Sequence, residues 1–172
     1  MAGLDGSVWI INPDLLTVRL GEAESLTTEA ANLAAVRRIE AWLDASIEVH
    51  QTIGVETVLS SPKYRRLVDK AKAYGFEICF VYVFLRDTEL QLDRIRARVA
   101  KGGHDVPPHK VRDRRYRSFA QAGWFFAAAD RAMVLDNSEE EPDVVALKER
   151  GRVQIEQGIP AELFRSLIGA DG

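Results

Sequence analysis

Arginines are the residues of this chain with the most chemistry to offer. Arg94, Arg96 and Arg98 precede the stretch Lys101-Gly102-Gly103-His104-Asp105-Val106-Pro107-Pro108, and Arg112, Arg114, Arg115 and Arg117 follow it. A guanidinium stays charged and presents its donors as a planar fork, so it can hold two oxygens of one phosphate. Arg94 and Arg98 stand one helical turn apart and share a face. The paired glycine stops the first helix, because glycine takes positive φ without a steric penalty. The prolines stiffen the loop and open the next helix at its first turn. The pattern predicts a helical hairpin over about residues 88–126, serving as a positively charged lid on an anionic ligand. His104 and His109 are placed to stabilise the loop or to touch phosphate. A solvated basic face is the plain alternative for the same residues.

Charge is segregated. Residues 94–117 carry nine Lys/Arg against two Asp/Glu, whereas the rest carries 14 against 24, in a chain of net charge −3. A nucleic-acid coat usually needs a basic surface overall, so a local anion site is favoured over RNA or DNA binding through the hairpin with Tyr116, Phe119 and Trp124. The single cysteine excludes an internal disulfide and builds no zinc site alone. Cys79 lies in the apolar run from Phe76 to Leu85 and reads as a core thiol. No signal-peptide pattern or run of 18 apolar residues occurs, so a cytoplasmic location without a membrane partner is expected.

The elements that must position these groups alternate. Strands are expected at Ser7–Ile11, Ile53–Leu59, Ile78–Leu85, Arg131–Leu135 and Val153–Ile155. Helices are expected from Thr28 to Val49, from Ser61-Pro62 to Gly75, from Thr88 to Ala100, from Pro108 to Phe126, from Pro142 to Glu149 and from Pro160 to Ile168. In the first of these, Leu33, Val36, Ile39, Leu43 and Ile47 fall on one face. The alternation predicts a single α/β domain over 1–172, a three-layer parallel sheet with right-handed crossovers. Ligands of such sheets bind beyond the carboxyl ends of the strands. Three of those ends carry polar groups: Asn12-Pro13-Asp14, Glu56-Thr57 with Ser60-Ser61, and Asp136-Asn137-Ser138. Glu56 is the sharpest, since a carboxylate inside an apolar run needs a partner, a cation or water.

In this order, Asn12-Pro13-Asp14, Val55-Glu56-Thr57-Val58-Leu59-Ser60, Arg94-Ile95-Arg96-Ala97-Arg98, Gly102-Gly103-His104-Asp105-Val106-Pro107, Arg114-Arg115-Tyr116 and Asp136-Asn137-Ser138 resemble the zeta-toxin-like P-loop kinases, in particular their uncharacterised bacterial branch. The resemblance covers about residues 8–150. It implies a P-loop-kinase-like parallel sheet that binds ATP and Mg²⁺ and phosphorylates a small hydroxyl acceptor, such as a UDP-activated amino sugar. It implies that Asp14 takes the acceptor's proton and that Glu56 sits near the acceptor or the metal. It also implies that lid arginines among Arg94, Arg98, Arg112, Arg114 and Arg115 neutralise the phosphates. Asn12, Thr57, Ser60, His104 and Asn137 are the accompanying substrate or phosphate contacts; no protein side-chain set for a resident metal is assigned. An antitoxin protein and a second copy of the chain are partners the resemblance admits.

The pattern departs from that family at Val58, where the toxins' acidic motif places its threonine, and above all in its phosphate loop. A phosphate loop reads G-x-x-x-x-G-K-[ST], and no Gly-Lys pair occurs in these 172 residues. The resemblance places the loop and its strand before Asn12, with that strand between those of Glu56 and Cys79. The chain is therefore expected to begin inside a longer family sequence and to be inactive by itself. A non-catalytic relative acting as a binding protein is the alternative.

Overall fold

The computed structural model describes residues 9–11, 13–103 and 105–169, with side chains from Leu16 onward. Asn12, His104 and the Asp14 side chain lie outside the described residues. The chain is α/β and divides into two compact units, Met1–Thr57 with Asp69–Phe76, and Val58–Val68 with Glu77–Gly172.

In the first unit, β1 (Trp9–Ile11) and β2 (Ile53–Val55) pair in parallel. Between them run α1 (Pro13–Glu24) and α2 (Thr28–Glu48). No helix is expected before Thr28; Pro13 nevertheless opens α1, where its missing N–H costs nothing. Thr27 caps α2, accepting from Ala30 N at 3.3 Å. The buried stripe of α2 is Ala31, Ala35, Ile39, Leu43, Ser46 and Ile47. Leu33 and Val36, expected inside, are 54% and 37% exposed. Small residues explain the rotation: a Cβ on Gly21 of α1 would stand 3.8 Å from the Ala31 Cβ, so the helices meet over their smallest side chains. The expected strand Ile53–Leu59 ends at Val55, and Leu59 takes φ +54°, a conformation incompatible with a continuing strand.

In the second unit, β3 (Cys79–Phe84) pairs in parallel with β4 (Arg131–Asp136), and β5 (Asp143–Glu149) and β6 (Arg152–Ile155) continue antiparallel, in the order β3-β4-β5-β6. The sheet is open and mixed, not all-parallel. Residues 142–149, expected helical, form β5, because Val144 and Val145 suit a pleated strand that returns beside β4. Helices α4 (Thr88–Ala100), α5 (Pro108–Ala128) and α6 (Ala161–Ile168) complete this unit, and α3 (Arg65–Ala73), divided between the two units, starts later than the expected Ser61-Pro62 and stops before Gly75 as expected. None of the described helices is long and apolar enough to cross a membrane.

The core of this unit joins Tyr82, Phe84, Val134 and Ala146 of the sheet to Phe119, Ala122, Phe125 and Phe126 of α5 and Leu163 and Leu167 of α6. Gly123 lets α6 cross closely, since a Cβ there would lie 2.1 Å from the Ser166 carbonyl oxygen. On the sheet's other face, Val81 and Val83 are 61% and 52% exposed. Cys79 shares that face and is also exposed, contrary to the core thiol expected of an apolar run. An uninterrupted apolar strand predicts cover on both faces, and here one face of β3 lacks it. The outer edge of β3 pairs with no strand among the described residues.

Candidate anion-binding site

The carboxyl ends of β3 and β4 lie side by side, because the two strands are parallel and in register from Cys79↔Arg131 to Phe84↔Asp136. Asn137 N donates to Phe84 O at 2.9 Å and extends the ladder by one bond. Beyond that bond the chain turns polar. Asp136 is 3% exposed, and its Oδ1 accepts from Ser138 N at 3.0 Å and Ser138 Oγ at 2.5 Å. Its Oδ2 accepts from Arg86 Nε. Ser138 Oγ in turn accepts from Arg86 N at 2.8 Å. Burial pushes the Asp136 carboxyl up, but the bonds from Ser138 and Arg86 outweigh it, so its pKa falls below the usual carboxylate value. The same pairing holds the Arg86 guanidinium above its ordinary value.

Both helices of the basic hairpin reach this point. From α4, Arg94 Nη2 donates to Ser138 O at 3.2 Å. From α5, Arg115 donates from Nη1 to Leu85 O at 2.5 Å and from Nη2 to Arg86 O at 2.8 Å. Its guanidinium lies 4.4 Å from the Phe119 ring centre. Burial lowers the Arg115 pKa, against raising influences from Tyr82, Glu162 and Asp87. One turn further along α5, Ser118 Oγ meets Tyr82 OH at 2.8 Å. Burial drives the Tyr82 phenol up to about 12, partly offset by Ser118 and Arg115. Arg112 of α5 bridges to Glu89 of α4 at 3.0 Å.

At the hairpin tip, Gly102 has φ +88° and donates to Val99 O at 2.9 Å, while Gly103 donates to Arg98 O at 3.0 Å. These are the two bonds of a Schellman cap, which a left-handed glycine makes possible. A Cβ on Gly103 would lie 2.7 Å from Arg98 Cγ, so both glycines are required. The cap at the other end of α4 is Asp87, accepting from Glu89 N at 2.8 Å.

Of the expected site residues, the structure brings together Arg94, Arg115 and Asn137 at the ends of β3 and β4, with Arg112 tied to α4. Arg98 packs on Gly103. Arg114 is exposed and makes no hydrogen bond or ion pair among the described residues. Arg96 and Arg117 pair with Asp93 and Asp113 on their own helices. Ser60 is half-buried in the second unit; Glu56 and Thr57 belong to the first unit and are exposed. Of the aromatics weighed for nucleic acid, Phe119 is buried in the core and Tyr116 is 68% exposed. Sequence reasoning missed Arg86. Its signal was available: it follows the apolar run Ile78–Leu85 directly, as Asp136 follows that of β4.

Arginines from two helices at a sheet end suit the oxygens of a polyphosphate. Asp136 commits both oxygens to Ser138 and Arg86, and no cluster of three His, Cys, Asp or Glu side chains that could hold a metal gathers among the described residues. No family model, no curated protein and no solved structure matches the chain.

Proposed function

We propose that the second unit binds a polyphosphate at the carboxyl ends of β3 and β4, as the lid-bearing part of an ATP-dependent phosphotransferase of zeta-toxin-like type. What supports this reading is Arg94 of α4 standing at the strand ends beside Arg86, on a basic hairpin that Arg115 of α5 anchors to the end of β3. Phosphoryl transfer asks mainly for positioning and for positive charge on the phosphate oxygens. Arg94 is exposed and held by one long bond to Ser138 O. Exchanging that carbonyl for a phosphate oxygen replaces a neutral acceptor with a charged one. Arg98 adds charge on the same helix face. Asp14 and Glu56 are the acceptor-side acids of this reading, for a small hydroxyl compound such as a UDP-activated amino sugar. With no Gly-Lys pair in the chain, transfer by these residues alone is not expected, and binding is the property to measure. Titration calorimetry with ATP should show binding that weakens about tenfold when Arg94 and Arg98 are both replaced by Ala, the effect of losing one to two charge-assisted bonds. No binding at millimolar ATP overturns the reading.

A second reading is an interaction protein without catalysis. The unpaired outer edge of β3, with Cys79, Val81 and Val83 exposed and no charge, proline or bulge within the strand, favours it. Natural sheets usually blunt such edges, since their free N–H and C=O groups accept another strand. Here the occupant is a strand of another chain, and a monodisperse monomer by light scattering counts against it.

A further inference from the structure

We infer that Arg115 is the positioning residue of the basic hairpin and not one of its phosphate ligands, an inference that rests on the anion-site reading above. The carbonyls of Leu85 and Arg86 lie just past the end of β3, where the ladder no longer supplies donors. Arg115 serves both from one planar group, at 2.5 and 2.8 Å. Phe119, one turn along the same helix, lies under its guanidinium at 4.4 Å. Three residues on, the Ser118–Tyr82 bond fastens the same stretch of α5 to the middle of β3. Two neighbouring attachments therefore fix both the height and the rotation of α5 over the strand.

The consequences run outward from this clamp. Holding the 85–86 peptide directs Arg86 N to Ser138 Oγ and Arg86 Nε to Asp136. Fixing α5 also places Arg112 beside Glu89, an exposed pair that adds little by itself, and the Gly102-Gly103 corner joins α5 to α4, which carries Arg94 to Ser138 O. Arg114 stands beside the clamp, exposed and without a partner among the described residues. The division of labour follows: Arg115 is occupied by backbone, while Arg94 meets the strand end through one exchangeable bond and Arg114 has no competing partner among the described residues. Lysine cannot take over the clamp, because a single ammonium lacks the fork that spans two carbonyls.

The experiment compares full-length wild type with R115K, R115A and R114A. It uses inorganic tripolyphosphate as the probe, titrated at low and high salt, and amide hydrogen exchange without ligand. R115K and R115A should raise exchange in residues 88–100 and 108–118 by about tenfold, as local opening becomes easier. They should weaken tripolyphosphate about tenfold while keeping the wild-type salt dependence, since no phosphate contact is lost. R114A should leave exchange unchanged and flatten the salt dependence. Should R115K flatten the salt dependence as R114A does, Arg115 is a direct ligand and the inference fails. Unchanged exchange in R115K also overturns it, and that variant serves if R115A does not fold. If wild type binds no tripolyphosphate, the anion-site reading falls, and the exchange measurement alone decides whether Arg115 positions the hairpin.

Discussion

The two helical hairpins of this protein are held by opposite means. In α1–α2 the helices meet over Gly21 and Ala31, and α2 alone buries six residues. A polar tie across the pair, Arg38 to Glu24 at 2.6 Å, is solvent-exposed, and such pairs contribute little. In α4–α5 the first helix buries only Leu92. That hairpin relies on Arg94 to Ser138 O and on Arg115 to the end of β3, the exposed Arg112–Glu89 pair adding little. Burial makes a joint that ignores salt; bonds from exposed or half-exposed guanidinium groups make one that salt can weaken. The responsive joint is the one standing over the candidate site.

The largest test of this contrast is Leu43→Ala, which removes a side chain 1% exposed in α2. Thermal or denaturant unfolding should show a loss of about 3 kcal/mol, the usual cost of a cavity, and the loss should be the same at low and high salt. A salt-dependent loss would erase the distinction between the hairpins.

Next comes Asp136→Asn, expected to cost about 2 kcal/mol by breaking charge-assisted bonds at a buried site. The folded pKa of Asp136 lies below its unfolded value. Its contribution is therefore complete above the unfolded value of about 4 and lost as pH falls through the lowered folded one. An acid titration of stability should be shallower in the variant. If both proteins show the same acid limb, Asp136 is not the group that fastens Arg86.

The smallest effect is that of Tyr82→Phe, which leaves the Ser118 hydroxyl without its partner and should cost about 1 kcal/mol near neutrality. Tyr82 is raised to about 12. Its neutral form stabilises the fold fully below about pH 10, and that contribution is lost as pH rises through the folded value. The variant should lose this part of the alkaline limb, read by circular dichroism.

What was legible in the sequence followed from strong local signals. The strands β3 and β4 are uninterrupted apolar runs, and Gly102 and Pro108 punctuate the hairpin unmistakably. What was not legible depended on neighbours. The inward face of α2 is set by a glycine on another helix, so Leu33 and Val36 misled. Pro142 and the acids around it imitate a helix start, yet β5 forms because β4 offers it an edge. Cys79 and Val81 look like core because apolar type does not reveal which face of a strand lacks a neighbour. The role of Arg115 was hidden for a simpler reason: its acceptors are main-chain carbonyls, which carry no residue signature.

The double-glycine corner that closes α4 turns the hairpin into a lever. Both bonds of that corner are made and a side chain on Gly103 would strike Arg98, so bending is left to the base. Thirteen residues of α4 at 1.5 Å each give an arm of roughly 20 Å. A swing of about ten degrees at the pivot then carries the far end by about 3 Å, enough to make or break a hydrogen bond.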